Sequence, residues 1–238
     1  MRLVFIVSIL ISGLAAGQNA VDITSEPHHT LLLENGKVRV FELALKPGDR
    51  AFVRHEHNFL VVTLQDCELV VWPEGKSDIM NFRFGQGDVR FSFGGQAVGF
   101  RNDRTAASRQ ILVEFLDPKV TSYGYQAPEG GWDYGAMSIA PPTDPRAAFS
   151  NSLFLAAATA RDIQLLPGDL LAPPEKEAAE LLIPVTDMDL KASETQRIRK
   201  SPGEVVWIPM GRKAKLRNAG DEPARFVVIE FPPPPAEQ

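Results

Sequence analysis

GDVRFSFGGQAVGFRNDRTAASRQILVEF, residues 87–115, is written twice in this 238-residue chain. Displaced by 116 positions it becomes GEVVWIPMGRKAKLRNAGDEPARFVVIEF, residues 203–231, without a gap. Gly87, Val89, Gly95, Arg101, Asn102, Arg109, Glu114 and Phe115 recur as Gly203, Val205, Gly211, Arg217, Asn218, Arg225, Glu230 and Phe231. A Pro-Gly-Asp precedes each copy, Pro47-Gly48-Asp49 and Pro167-Gly168-Asp169. Self-similarity at a fixed spacing defines a structural unit before any propensity is weighed. The chain therefore reads as two copies of one unit.

Outward from the first copy, residues 38–45, 59–64, 68–72, 79–84, 88–93, 97–101 and 110–116 are β-rich stretches parted by Gly and Pro. The second unit offers 153–166, 181–185, 188–192, 196–200, 204–208 and 225–231, although Ala156, Ala157, Ala158 and Ala160 would equally seed a helical turn. Strands so closely spaced argue an all-β sandwich or barrel. Residues 59–64 are apolar at odd and even positions alike. A strand apolar on both faces is covered on both sides, so two barrels, or two subunits of a homodimer, are expected to share a sheet-to-sheet interface. Residues 118–150 hold prolines, a Gly-Gly pair and Tyr123, Tyr125, Trp132 and Tyr134. They read as a long linker lying against a domain surface. The four prolines from Pro232 to Pro235 cannot join a ladder and end the fold.

Residues 1–17 have the layout of a secretory signal peptide: Arg2, an apolar run over 3–11, then small residues to Gly17. The run is short for a bilayer span, which needs about 20 residues. A secreted or periplasmic protein is expected, divided into a first unit (18–117), the linker (118–150), a second unit (151–231) and a proline-rich tail (232–238). Net charge −5 gives no global basic field to attract nucleic acid. The single Cys67 excludes an internal disulfide, so packing alone must hold the fold. It reads as a buried apolar residue rather than a nucleophile.

The glycine and asparagine framework resembles the cupin superfamily. The second cupin motif spaces Gly, Pro, Gly, His and Asn, and Gly203, Pro209, Gly211 and Asn218 match it, with Ala214 at the His position. In the first copy Gly87, Gly95 and Asn102 match, Phe93 replaces Pro and Val98 replaces His. Gly48 followed by His55-Glu56-His57 is similar to the first cupin motif, with one extra residue before His55, Val61 or Val62 at its Glu position, and no closing Gly. The corresponding stretch of the second copy, 173–177, has no His. The resemblance implies a bicupin of two tandem antiparallel jelly-roll barrels, and a divalent transition metal in the N-terminal barrel wherever the ligand set survives.

Residues two apart on a strand face one way, so His55 and His57 are expected to enter the barrel together. Two His fall short of the three protein ligands usual at a catalytic centre. Gln65, Asp66, Cys67 and Gln96 are the candidates for a third. Three uses of the pair stay open: a complete metal site, a weak site or hydrogen bonds to a ligand, and a structural remnant. Two functions follow. One is a binder of a small polar molecule at His55, His57 and Gln96, or a structural cupin, without strong catalysis. The other is a metal-dependent isomerase or dioxygenase with His55 and His57 as metal ligands. His28-His29 reads as a solvated approach to the first strand. Arg212 opens a basic run in which Lys213, Lys215 and Arg217 alternate with Ala214 and Leu216 and read as one solvated strand face. Glu175, Lys176, Glu177 and Glu180 read as a solvated turn.

Overall fold

The computed structural model describes residues 19–75, 80–122, 137–193 and 195–233. The leader, the linker aromatics and the last two prolines of the tail lie outside the described residues. The first unit runs β1 (Val21–Asp22), a 3-10 turn (Ile23–Ser25), β2 (His29–Glu34), β3 (Val38–Leu45), β4 (Arg50–His55), β5 (Phe59–Thr63), β6 (Cys67–Pro73), β7 (Met80–Phe84), β8 (Val89–Ser92), β9 (Gln96–Arg101), β10 (Ser108–Phe115) and β11 (Met137–Ser138). The second runs β12 (Phe149–Phe154), β13 (Thr159–Leu165), β14 (Leu170–Leu171), β15 (Ala179–Pro184), β16 (Met188–Lys191), β17 (Arg197–Lys200), β18 (Val206–Ile208), β19 (Leu216–Asn218) and β20 (Ala224–Phe231).

Each unit is a pair of facing sheets. The first has orders β1-β4-β9-β6-β7 and β11-β8-β5-β10-β3-β2, the second β12-β13-β20-β15-β18 and β14-β19-β16-β17. Among the described residues every strand pairing is antiparallel except β1 on β4. Inside the first barrel Phe41, Val53, Phe59, Val61, Val98, Phe100 and Leu112 form one buried cluster. Ile163, Leu182, Leu190, Phe226 and Val228 do the same in the second.

The duplicated residues do the same work in both barrels. Gly48 and Gly168 turn at φ +86° and +87°, a left-handed conformation that glycine adopts without steric cost. Their amides donate to the carbonyls of Asn102 and Asn218 at 2.8 and 2.9 Å. The Asn102 side chain donates to Leu45 O (3.0 Å) and Ala106 O (2.8 Å), and Asn218 donates to Leu165 O (3.0 Å) and Glu222 O (2.9 Å). Each buried amide thereby satisfies carbonyls that the sheet ladders leave over.

A third cluster joins the barrels. Leu60, Val62, Val89, Phe91, Ile111, Val113 and Phe115 pack with Ala160, Leu181, Ile183, Val227, Ile229 and Phe231. This is why 59–64 is apolar on both faces: Phe59 and Val61 fill the first barrel, Leu60 and Val62 the boundary. Two arginines reach across it reciprocally. Arg109, held by Glu42 (Nε–Oε1 2.7 Å), approaches Pro202 O and lies against Gly203. Arg225, held by Asp162 (Nη2–Oδ2 2.7 Å), donates to Gln86 O at 2.9 Å and lies against Gly87. A Cβ on Gly87 would stand 2.1 Å from the Arg225 guanidinium carbon, and one on Gly203 2.3 Å from Arg109 Nη2. Such polar links are worth about 1 kcal/mol each, against about 1.5–3 kcal/mol per buried large apolar side chain. The apolar cluster holds the barrels together, and the arginines fix how they meet.

Four expectations are corrected. Residues 153–166 form two strands, β12 and β13, because Ala156 and Ala157 fit a tight turn between them. His29 is buried, since Glu26 turns inward to meet it. Glu180 is wholly buried on β15 rather than in a solvated turn, because Arg212 pairs with it at 2.5 and 2.7 Å. The Arg212 side chain is buried with it, and the basic run is not a strand face: Lys213 and Lys215 lie exposed in the loop before β19, and Arg217 alone of them is on that strand.

Candidate functional site

Position parity decides which polar side chains enter the first barrel. On β10, Glu114 shares its face with Leu112 of the barrel core, and its register partners are Arg39 on β3 and Phe59 on β5. On β4, Ala51, Val53 and His55 face inward, while Arg54 faces out to Glu74 at 2.5 Å. These elements bring His55, Glu114 and Arg39 together at one end of the barrel.

Glu114 is 0% and His55 1% exposed. Arg39 Nη2 stands 2.9 Å from Glu114 Oε2, an ion-pair distance without hydrogen-bond alignment. His55 Nδ1 lies 3.6 Å from Glu114 Oε1, too far for a hydrogen bond. The Phe59 ring stacks on the imidazole with centroids 3.9 Å apart. Neither imidazole nitrogen and neither Glu114 oxygen has a hydrogen-bond partner among the described residues. Buried polar atoms are nearly always paired, and leaving one unpaired costs about 1–3 kcal/mol. These atoms are the candidate contacts for a bound molecule in the first barrel.

Burial holds the His55 imidazole below its ordinary pKa of 6.5, and the nearby Glu114 carboxylate only partly offsets this. The ring is therefore neutral at pH 7, with one nitrogen free to accept and one to donate. Between the folded and unfolded pKa values the unfolded chain binds more protons. The stability contributed by a neutral His55 is then present above pH 6.5 and lost as pH falls below it. We expect urea midpoints of the wild type to fall more steeply from pH 7 to pH 5 than those of His55→Gln. Equal slopes would mean that His55 takes up its proton without opening the barrel.

Of the other candidate residues, His57 and Gln96 adjoin His55, whereas Gln65, Asp66 and Cys67 sit at the opposite end of the barrel, around Asn102 and Ala107. His57 is past the end of β4, half-buried in a bend. That bend is pinned by Asn58, which accepts from Gly94 N (3.0 Å) and donates to Val120 O (3.0 Å). Gln96 begins β9 directly opposite His55, half-buried. Cys67 is half-buried, and burial pushes its thiol pKa up, away from a reactive thiolate. Of the residues that the cupin resemblance sets at its Glu and His positions, Val61 and Val98 are packed into the barrel's apolar cluster and Val62 into the boundary between the barrels. Among the described residues no group of three His, Cys, Asp or Glu is placed to hold a metal. The cation beside Glu114 is Arg39, and a guanidinium at 2.9 Å opposes a divalent ion there. The side chains at this site do not fit the family's four-ligand centre.

Arg39 and Glu114 were not picked out by motif. Glu114 carried a signal nonetheless, as an acid inside the apolar run Ile111-Leu112-Val113-Glu114-Phe115 that recurs as Glu230. In the second barrel Glu230 pairs with Arg161, and its register partner Glu180 stands where Phe59 stands in the first. Two arginine–glutamate pairs occupy that interior.

No family model matches the chain. Among curated proteins, the major DNA-binding protein of equine herpesvirus 1 is 37% identical over 73 residues, 29% of this chain and 20% of that protein's length. Solved structures match far more of it. AerE from Microcystis aeruginosa superposes with a TM-score of 0.59 at 12% identity, covering 87% of this chain and 98% of its own. Bacillus subtilis oxalate decarboxylase gives 0.55 at 15% identity over 91% and 78%. A cupin 2 conserved barrel domain protein from Leptotrichia buccalis gives 0.52 at 10% identity over 85% and 88%. With the repeat, the paired jelly-roll sheets and the turn glycines all in register, the fold of this chain is that of the cupin superfamily, two cupin barrels in tandem.

Proposed function

We propose that the N-terminal barrel binds a small polar molecule without a metal ion, through His55, Glu114 and Arg39, and that the C-terminal barrel is its structural partner. The observation that carries this is the buried His55–Glu114 pair, whose imidazole nitrogens and Glu114 Oε1 have no hydrogen-bond partner among the described residues, while Glu114 Oε2 stands at ion-pair distance from Arg39. A neutral imidazole and a carboxylate together favour a ligand rich in hydroxyl or amide groups. The net charge of −5 favours such a ligand over nucleic acid. A thermal-shift screen of small hydroxylated and amide compounds, run beside elemental analysis of untagged protein, tests the reading. We expect at least one compound to raise the midpoint of the wild type and not of His55→Gln, and Val98→His to bind Mn or Zn far more tightly than the wild type. One tightly held equivalent of Mn, Fe, Zn, Ni or Cu in the wild type, released by His55→Gln, would instead favour a metal-dependent isomerase or dioxygenase.

The leader supports export. We expect protein exported by its own host to begin near Gly17 or Gln18. An intact mass that includes Met1 to Ala16 would overturn this.

A further inference from the structure

The first barrel is closed by a piece with no equivalent among the described residues of the second. Sheet β1-β4-β9-β6-β7 ends at β4 but for two residues of β1, and the facing sheet ends at β2. The chain from β1 through the 3-10 turn to β2 spans the seam between these edges. The described residues of the second barrel contain no strand equivalent to β1.

Three contacts seat this segment. Val21 and Asp22 pair in parallel with Val53 and Arg54, ending one residue short of His55. Ile23, wholly buried, joins the cluster of Phe41, Val53, Phe59 and Val98, which includes the ring stacked on His55. Asp22 caps the 3-10 turn by accepting from Thr24 N at 2.8 Å, and its carboxylate lies within electrostatic reach of both Arg39 and His55. The segment thus stands between solvent and the site.

A latch follows it. Glu26, 4% exposed, meets His29 Nδ1 at 2.5 Å and His28 Nδ1 at 2.8 Å, and accepts from His28 N at 2.9 Å. His28 Nε2 faces Asp49 Oδ2 at 3.6 Å. Burial works to raise the Glu26 carboxyl, but the hydrogen bonds from His29 and His28 outweigh it and hold it below its ordinary value. Apart from this latch and Ile23, the attachment is a two-residue ladder, weak beside the eight-residue pairing of β10 with β3.

We propose that residues 21–26 are a gate, whose release from the β4–β2 seam admits a molecule to His55 and Glu114. This rests on the reading that a small molecule binds there. A site whose key side chains are 0–1% exposed needs a way in, and elements that open for ligands are drawn from the least stable parts of a fold.

The test needs no ligand. Diethyl pyrocarbonate acylates accessible imidazoles, and peptide mass spectrometry reads the rate at His55. In the full-length wild type His55 is expected to react slowly. In Ile23→Ala and in Glu26→Gln it is expected to react at least tenfold faster, while amide exchange of β10 is unchanged and reports an intact barrel. An unchanged rate at His55 in both variants would overturn the gate. So would a rate that rises only in step with β10 exchange, which would mean that His55 is reached by unfolding the barrel. A gate confirmed with no compound found in the thermal screen would tell against the binding function alone.

Discussion

Arg39→Leu is expected to destabilise the protein by about 3–5 kcal/mol, the usual cost of removing one partner from a buried ion pair. Glu114 is 0% exposed, and Arg39 is the cation placed to offset its charge. Without that guanidinium the carboxylate is left in an apolar barrel against Phe59, and His55 stands too far away to hydrogen-bond it. Replacing both members by apolar residues removes the stranded charge, so Arg39→Leu/Glu114→Leu is expected to recover most of the loss. Urea denaturation of the two single variants and the double variant measures the coupling. A single-variant loss below about 1 kcal/mol, the range of an exposed pair, would show that water already reaches Glu114.

The second large effect is at a glycine with no room for a side chain. A Cβ on Gly94 would stand 2.4 Å from the His57 carbonyl carbon, 2.5 Å from its oxygen and 2.9 Å from Asn58 N. These are backbone atoms and cannot swing aside as a side-chain tip can. Gly94→Ala is expected to cost about 3 kcal/mol, the upper end for overpacking, and to displace the bend that carries His57. Gly36 has nothing within 4 Å of an added Cβ. Gly36→Ala is therefore expected to change the urea midpoint by less than a quarter as much as Gly94→Ala. Equal midpoints for the two variants would show that the 56–58 bend yields freely.

The fold was legible because the residues that encode it are local and duplicated. Gly48, Asn102 and their counterparts each serve one turn, and a turn leaves its requirement in the sequence. The site was legible only where a motif named it. His55 follows from the cupin spacing, and its inward direction follows from strand parity. Arg39 was within reach of the same parity. Arg39 and Glu42 are three positions apart on β3, so they face opposite ways and cannot both be solvated. Arg39 enters the barrel, and Glu42 holds Arg109 at the boundary. Which face was inner required β10, 75 positions away along the chain, as did the meeting of Arg39 with Glu114. The burial of Glu180 was illegible for the same reason, since Arg212 reaches it from the loop between β18 and β19. Long-range pairing leaves no spacing to read.

The reciprocal arginines have a consequence for either barrel taken alone. Each unit carries both halves of the clasp: the first supplies Arg109 with its Glu42 and offers Gly87, the second supplies Arg225 with its Asp162 and offers Gly203. A patch bearing both the key and the slot is self-complementary, and self-complementary patches close into isologous twofold pairs. The tether between the units replaces a concentration-dependent encounter by an intramolecular one with a high effective concentration. Cut free, the first barrel would present its apolar face, its arginine and its glycine turn to an identical copy.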